Sequence, residues 1–479
     1  MSGQPLANIQ LGGRFMVVST SKITSTNPAT FESLADVSVS SPSDIKKAVE
    51  SARSAQPAWQ KLGIEGRLKE LQKLYSYLAE RREQFAQLET KEMGKPIAGS
   101  RSSFDWALRQ FRWNLDNAAQ CLAPETSYED DREIHQIHYE PYGVAGVITP
   151  WNFPLSNFVM GALQPLIAGN TVVYKISEEV PLFGQALDKA WQEAHMPRGV
   201  FSQIYGAGDV GELLARSDID LLHFTGSSAV GKKLYVIAAE KFIPVTLELG
   251  GSDAGIVFED ADVDGMIQPI FWAKFINAGQ ICCGLKRLFV HKTRYDEVVS
   301  KLSKFISQQK VGNPDEEDTV VGPLASEKQR KLLVGQVEDA KDKGVKVILG
   351  GKTPSGSKGA FFEPTLLTGV NKDMRAYYEE LFGPVLPIAA FDSEAEAIQL
   401  ANDTPYGLSA YVYTKDRERF KRVADQLEAG SISHNGLDYS RPVNPFGGYK
   451  GSGIGKTCGK IGLQHACRIK VTAQQKRTK

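Results

Sequence analysis

Cysteine is scarce in this chain. Five occur in 479 residues, Cys121, Cys282, Cys283, Cys458 and Cys467, an odd set whose one close pair is adjacent and poorly placed for a structural disulfide. A disulfide framework is thereby excluded, and a reducing cytoplasm is the expected compartment. The seven histidines are scattered; none completes a zinc spacing with Cys282 and Cys283, and His135 and His138 fall in a strand-like run, so no metal is expected. Charge of one sign is missing too. Fifty-six basic and 56 acidic residues cancel, which leaves no electrostatic footprint for nucleic acid and no basic tail for a membrane. The opening Met-Ser-Gly-Gln-Pro-Leu-Ala lacks a basic segment followed by an apolar one, so no secretory signal is expected. Internal repeats and low-complexity domains are absent.

One absence is deceptive. No charged residue lies between Glu140 and Lys175, a length that could cross a bilayer. Pro150, Pro154 and Pro165 interrupt the stretch, and Asn152, Asn157 and Gln164 would need partners in lipid. It reads instead as a strand from Val144 to Ile148, a rigid functional turn and a buried helix.

The length exceeds what one core usually holds, and 42% hydrophobic content is ample for two or more domains. From about residue 44 to 120 helical patterns dominate: Ser43 and Asp44 offer N-cap chemistry, and Leu68, Leu71, Leu74 and Leu78 recur at helical spacing. Past residue 140, short β-branched runs at 171–174, 200–205, 221–224 and 245–247 alternate with helices, which predicts a parallel sheet wound with helices. A second series, at 254–258, 287–290, 345–349 and 385–388, predicts another α/β domain. The Gly350 to Gly359 segment is a surface loop without P-loop spacing. Residues 134–138 and 468–472 stand outside both series as extra edge strands, which a partner tends to cover.

Four short runs carry the chemistry. Cys282 lies in Asn277-Ala-Gly-Gln-Ile-Cys-Cys-Gly284, and Glu248 in Leu247-Glu-Leu-Gly-Gly-Ser252. A thiol and a carboxylate on glycine-flanked turns suit covalent catalysis at a carbonyl, and Gly250 and Gly251 permit close approach of backbone to a ligand. Thr149-Pro-Trp-Asn-Phe-Pro154 holds the uncharged donor Asn152 between two prolines that stiffen its backbone. Phe224-Thr-Gly-Ser-Ser-Ala-Val-Gly231 reads as strand, tight turn and helix start, an arrangement that offers backbone N–H groups to a phosphate.

In this order the four runs resemble the NAD(P)-dependent aldehyde dehydrogenase superfamily, from about Asn27 to Arg468. The resemblance implies a Rossmann-type cofactor domain over 1–122 and 140–248, an α/β catalytic domain over 249–440, and a small β oligomerisation arm over 123–139 and 441–479, with a homodimer or homotetramer as the assembly. It implies oxidation of an aldehyde to the acid through a thiohemiacetal and a thioester. The family pattern Gly-Gln-x-Cys selects Cys282 as nucleophile and leaves Cys283 as a packing neighbour. Asn152 with the Cys282 N–H becomes the oxyanion donor pair, and Glu248 the general base. For the cofactor it implies Gly226, Ser227 and Gly231 at the pyrophosphate, Lys175 and Glu178 at the adenosine ribose, and Trp151, Glu380 and Phe382 around the nicotinamide half. A carboxylate at Glu178 accepts from a ribose diol and repels a 2′-phosphate, which favours NAD while leaving NADP possible.

Two departures matter. Many relatives read Ser-Gly-x-Gly-Arg-Glu where this chain has Ser452-Gly-Ile-Gly-Lys-Thr457, so a proton relay through that glutamate is in doubt. Succinic semialdehyde dehydrogenases carry arginines that pair with the substrate carboxylate, whereas the matching positions here are Met160 and Ile276. With Phe446 they predict an apolar tunnel for neutral aliphatic or aromatic aldehydes. Arg441 at the mouth keeps an acid semialdehyde as the alternative, and a non-catalytic protein on the same fold is the reading from another class.

Overall fold

The computed structural model describes residues 21–476. The N-terminal signal reading and the first twenty residues of the expected cofactor domain lie outside the described residues. Two large sheets and two small ones, a three-stranded sheet and the antiparallel pair Lys22–Thr26 and Ser33–Ser38, organise the rest.

The first sheet has six strands in the order Gly453–Ile454, Val245–Glu248, Leu221–Thr225, Val144–Ile148, Thr171–Lys175, Phe201–Ile204. All are parallel except Gly453–Ile454, which runs antiparallel to Val245–Glu248. Because side chains alternate along a strand, Val144 and Ile148 face one side, with Ile45, Val49, Leu234 and Ile237. Ala145 and Val147 face the other, packing with Leu71, Leu74, Phe104 and Phe111. Chain order reverses between Val144–Ile148 and Leu221–Thr225, the place where doubly wound sheets open a ligand crevice at their carboxyl edge.

The second sheet has seven strands, in the order Lys346–Leu349, Thr365–Thr368, Val385–Phe391, Leu285–His291, Asp253–Val257, Ser409–Tyr413, Ser431–His434. Only Lys346–Leu349 is antiparallel to its neighbour. Its two faces are separate cores, one with Leu288, Val290, Phe271 and Leu302 and the other with Ile256, Phe289, Val412 and Val423. Glu248 ends a strand of the first sheet, and Cys282 sits just before Leu285–His291 of the second. The carboxyl edge of one sheet thus meets the amino edge of the other.

Three expectations need correction. The helix Pro42–Lys61 is capped by Ser41, two residues before the expected cap. Pro42 supplies the first turn, and Asp44 reaches back from the third position to close a capping box. The buried helix after Phe153 is three pieces, Pro154–Phe158, a π-helical turn Val159–Leu163, and Gln164–Ala168. Third, the stretch from 441 to 466 does not join the arm. Its strand Gly453–Ile454 extends the first sheet and its helix Gly459–His465 packs on Ile97–Cys121 and Gln164–Ala168. Cys467–Gln475 alone continues into the three-stranded sheet, beside Glu133–Pro141 and then Glu125–Glu129.

The helix Pro181–Glu193 has no side-chain cap of its own; Glu92, from the helix Arg82–Met93, supplies one. Its carboxylate accepts from Leu182 N at 2.8 Å, Phe183 N at 2.7 Å and Ser25 Oγ at 2.7 Å. Replacing it strands three buried donors. Glu92→Ala should lower the unfolding free energy by roughly 2–3 kcal/mol, read as an earlier urea midpoint; an unchanged midpoint would show that water serves the three donors as well.

Candidate active site

The crevice between the sheets is a single cavity of about 1020 Å³. Thr225 to Ala229, Glu379, Glu380 and Phe382 line one end, and Trp106, Arg109, Tyr439, Arg441 and Phe446 the other, with Asn152, Glu248, Cys282 and Cys283 among the walls. Trp151, Met160 and Ile276 line it too.

Cys282 follows an unusual turn. Asn277, Ala278 and Gly279 all have positive φ, near 52°, 51° and 75°, a conformation costing a non-glycine residue about 1–2 kcal/mol. Side-chain amides hold it there: Asn277 Nδ2 donates to Asn152 O at 3.1 Å and Gln280 O at 3.3 Å. Gln280 donates to Asn277 O, and its Oε1 accepts from Ala325 N at 2.8 Å. Strain retained by such a network is typical of functional turns. Asn152 joins it, donating from Nδ2 to Gln280 O at 3.1 Å while its Oδ1 accepts from Asn157 at 3.4 Å. The amide is therefore oriented beside the thiol turn.

Glu248 is 3% exposed. Its Oε1 accepts from Thr457 Oγ1 at 3.3 Å, and Oε2 is buried without a partner among the described residues. Burial pushes its carboxyl well above the usual carboxylate range, while the Lys456 ammonium and the Thr457 hydroxyl oppose the rise. Thr457 thus occupies a working position beside the base, and Cys458 follows it on the cavity wall. The two thiols of the adjacent pair also interact. Its neighbour Cys283 and burial push the Cys282 thiol well above the ordinary range, while the interaction with Cys282 brings Cys283 down against the opposing effect of burial. Cys283 is accordingly more than a packing neighbour, since it too lines the cavity, and its carbonyl accepts from Tyr411 at 2.7 Å and Ser409 at 3.2 Å.

The glycines do different work from that expected. At Gly250, which lines the cavity, a Cβ would run into the Glu380 carboxylate, and at Gly251 into the Cys282 carbonyl; the pair admits neighbouring protein as well as opening the wall. Glu380 is anchored there, accepting from Gly251 N at 3.2 Å. Gly226 and Ser227 form the turn into the helix Ser228–Glu240, which Ser227 caps. Gly231 lies under Leu249, where a Cβ would clash; it serves helix-to-strand packing and does not line the cavity. Lys175 and Glu178 pair at 3.0 Å beyond the end of Thr171–Lys175, also off the cavity wall. Trp151 meets Phe382 edge to face at 5.8 Å.

Sequence reasoning missed Arg109, Lys286 and Cys458. Arg109 reaches the mouth because Trp106, one turn earlier, donates to Ser440 O at 3.3 Å and draws the helix to the loop carrying Arg441. Only an i, i+3 spacing to a cavity tryptophan would have signalled it.

The matches to known proteins agree with this geometry. A model of the aldehyde dehydrogenase family covers residues 16–472. The chain belongs to the aldehyde dehydrogenase family. Among its relatives, glutarate-semialdehyde dehydrogenase of Pseudomonas aeruginosa is 37% identical, over 93% of this chain and 92% of that one. The NADP-named succinate-semialdehyde dehydrogenase of Escherichia coli is 35% identical over the same shares. The structure of betaine aldehyde dehydrogenase from Staphylococcus aureus in complex with NAD+ superposes with a TM-score of 0.90, at 33% identity, covering 94% of this chain and 91% of that one. Within this aldehyde dehydrogenase the described residues form no cluster of three or more metal-ligating side chains and no helix long and apolar enough to cross a membrane.

Thr457 lowers the Glu248 pKa, so removing its hydroxyl raises the pH at which that carboxyl ionises. In Thr457→Val the ascending limb of the turnover–pH profile should move to higher pH. A limb that stays in place would detach the hydroxyl from the carboxylate's titration.

Proposed function

We propose that this aldehyde dehydrogenase oxidises its substrate with NAD through a covalent acyl-enzyme on Cys282. The observation that carries the reading is the convergence of Cys282, Asn152 and Glu248 on one cavity between two differently built ends. Resting as a thiol, Cys282 needs a base to become a nucleophile, and Glu248, itself held protonated by burial until the pH is high enough, is the carboxylate available. The thiolate adds to the carbonyl carbon, and the negative oxygen is met by the Asn152 amide and the Cys282 N–H. When bound, the nicotinamide cofactor supplies the hydride acceptor. The thioester left on Cys282 is cleared by water that Glu248 deprotonates, releasing the acid and the thiol.

The residues present fit that cofactor. The turn Gly226-Ser227 stands at the switch point of the first sheet, and the first N–H groups of the helix Ser228–Glu240 are available to a pyrophosphate. Glu178 would accept from the adenosine ribose and Glu380 from the nicotinamide ribose. On this reading the first sheet with its helices, over 1–122 and 140–248, is the cofactor domain and 249–440 the catalytic domain. The three-stranded sheet is the assembly surface of a homodimer or homotetramer: Tyr128, Ile469 and Val471 are exposed on its two edge strands. Five free cysteines suit the cytoplasm.

A rapid-mixing assay tests the chemistry. Cys282→Ala should abolish NADH formation and leave NAD binding intact, and Cys283→Ala should retain most turnover. Glu248→Gln should slow the steady state, with a first-turnover burst if acylation is spared, and wild type should prefer NAD to NADP. An active Cys282→Ala alongside a dead Cys283→Ala would reassign the nucleophile.

For the substrate, Met160, Ile276 and Phe446 line an apolar passage in which each buried methylene contributes about 0.8 kcal/mol, whereas an unpaired carboxylate costs several kcal/mol there. Neutral aliphatic or aromatic aldehydes are the first reading. One observation favours a second: the guanidinium groups of Arg109 and Arg441 line the mouth with no hydrogen-bond or ion-pair partner among the described residues. Both are exposed; Asp438 lines the same cavity, and Asp105, one turn before Arg109, is the acid that feels the Arg109 charge. They would receive a carboxylate at the far end of a chain whose middle is apolar. The expected order in kcat/KM is hexanal and benzaldehyde above succinic semialdehyde. The reverse order, with the semialdehyde advantage lost at least about tenfold in Arg109→Ala/Arg441→Ala, would establish the second reading.

A further inference from the structure

Lys286 has no part in the chemistry above, yet it lies directly behind the nucleophile. It is 1% exposed. Its ammonium donates to three carbonyls of the thiol turn, Ile281 O at 2.6 Å, Cys282 O at 3.0 Å and Gly284 O at 3.3 Å. It also pairs with Glu380 Oε1 at 3.5 Å. A buried ammonium is costly unless so satisfied, and this one spends every contact on the turn that carries Cys282 and on the carboxylate beside it.

Peptide geometry gives that grip a direction. The Ile281 carbonyl and the Cys282 N–H belong to one planar trans peptide and point opposite ways. With Ile281 O drawn back onto Lys286, the Cys282 N–H faces away from it. Lys286 does not reach the cavity, whereas Ile281, Cys282 and Cys283 line it. The Cys282 N–H has no acceptor among the described residues. It is a free donor held toward the reacting space.

We infer that Lys286 is a positioning residue for the oxyanion, aiming the Cys282 N–H into the cavity and, by polarising the Ile281 carbonyl, strengthening that N–H as a donor. The inference rests on Cys282 being the nucleophile. The same cation acts on the thiols, whose facing groups are Glu380 and Lys286 on one side, and Asp253, Tyr411 and Tyr439 behind Cys283, with Glu248 across the cavity. Lys274, buried near Lys286 and Glu380, and Lys456, beside Glu248, are the further cations, and Lys286 is the one that acts on the thiols.

Two variants of the full-length enzyme separate charge from aim. Lys286→Gln keeps an amide donor and loses the charge. Lys286→Arg keeps the charge, but a planar fork cannot serve three carbonyls converging on one point. The readouts are the single-turnover rate of NADH formation with hexanal, and the pH dependence of Cys282 alkylation by iodoacetamide, located by peptide mass. In Lys286→Gln the single turnover should slow about 10- to 100-fold, and alkylation should shift to higher pH by about one unit. In Lys286→Arg the alkylation profile should stay in place while single turnover slows. A purely structural loss would move melting temperature and NAD binding without moving the alkylation pH. Wild-type rates and profile in Lys286→Gln, with Cys282→Ala inactive beside it, overturn the inference. An active Cys282→Ala overturns the underlying reading instead. If Lys286→Gln does not fold, Lys286→Arg decides, because unchanged single turnover there removes the aiming role.

Discussion

No side chain larger than hydrogen fits at positions 250 and 251, and the meeting of the two sheets depends on that. The segment leaving Glu248 passes so close to the Glu380 carboxylate and the Cys282 carbonyl that a methyl group at either position would push them away. Glu248, the thiol turn and Glu380 come from separate sheets and loops, and this close passage keeps them around one cavity. Overpacking of even a methylene is felt in such surroundings. The glycine pair is thus a spacer of zero thickness between two otherwise independent cores.

Around that contact the charges are arranged in opposition. Burial drives the Glu248 carboxyl toward its neutral form, and Lys456 with Thr457 pull it partway back. The Cys282 thiol is likewise held protonated by its neighbour and by burial, against the pull of Lys286. Carboxyl and thiol are thus both biased toward their uncharged forms. That bias lessens the charge to be desolvated when an apolar molecule enters the cavity.

Much of this was legible in the residues. Strands such as Val144–Ile148 appear where β-branched runs alternate with turn signals, because the same side chains that pattern the run also pack the two faces of the sheet. That Cys282, Glu248 and Asn152 share one cavity was legible because each sits on a stiff, glycine- or proline-marked turn. What escaped depends on three-dimensional neighbours. Lys286 sits in a strand beside apolar residues and its three acceptors are backbone carbonyls, which no residue type advertises. Gly231 looked like part of a phosphate cradle, but Leu249, just past the strand Val245–Glu248, fills the space beside it. The return of 441–466 to the first sheet rests on two residues, Gly453–Ile454, pairing with Val245–Glu248; a strand that short leaves no periodicity to read.

The loop between the strand Ser431–His434 and the turn at Gly447 is clipped at three points. Trp106 holds Ser440, Gly459 N donates to Pro442 O at 3.1 Å, and Phe446 and Thr457 exchange backbone hydrogen bonds at 2.7 and 2.8 Å. Among those clips Arg441, Asn444 and Pro445, with Tyr439 just before them, line the cavity, far in sequence from Cys282 and Glu248. The loop is therefore an interchangeable cassette. Its contents are free to drift, so descendants of one scaffold could acquire new aldehydes by rewriting a dozen residues while inheriting the reaction centre unaltered.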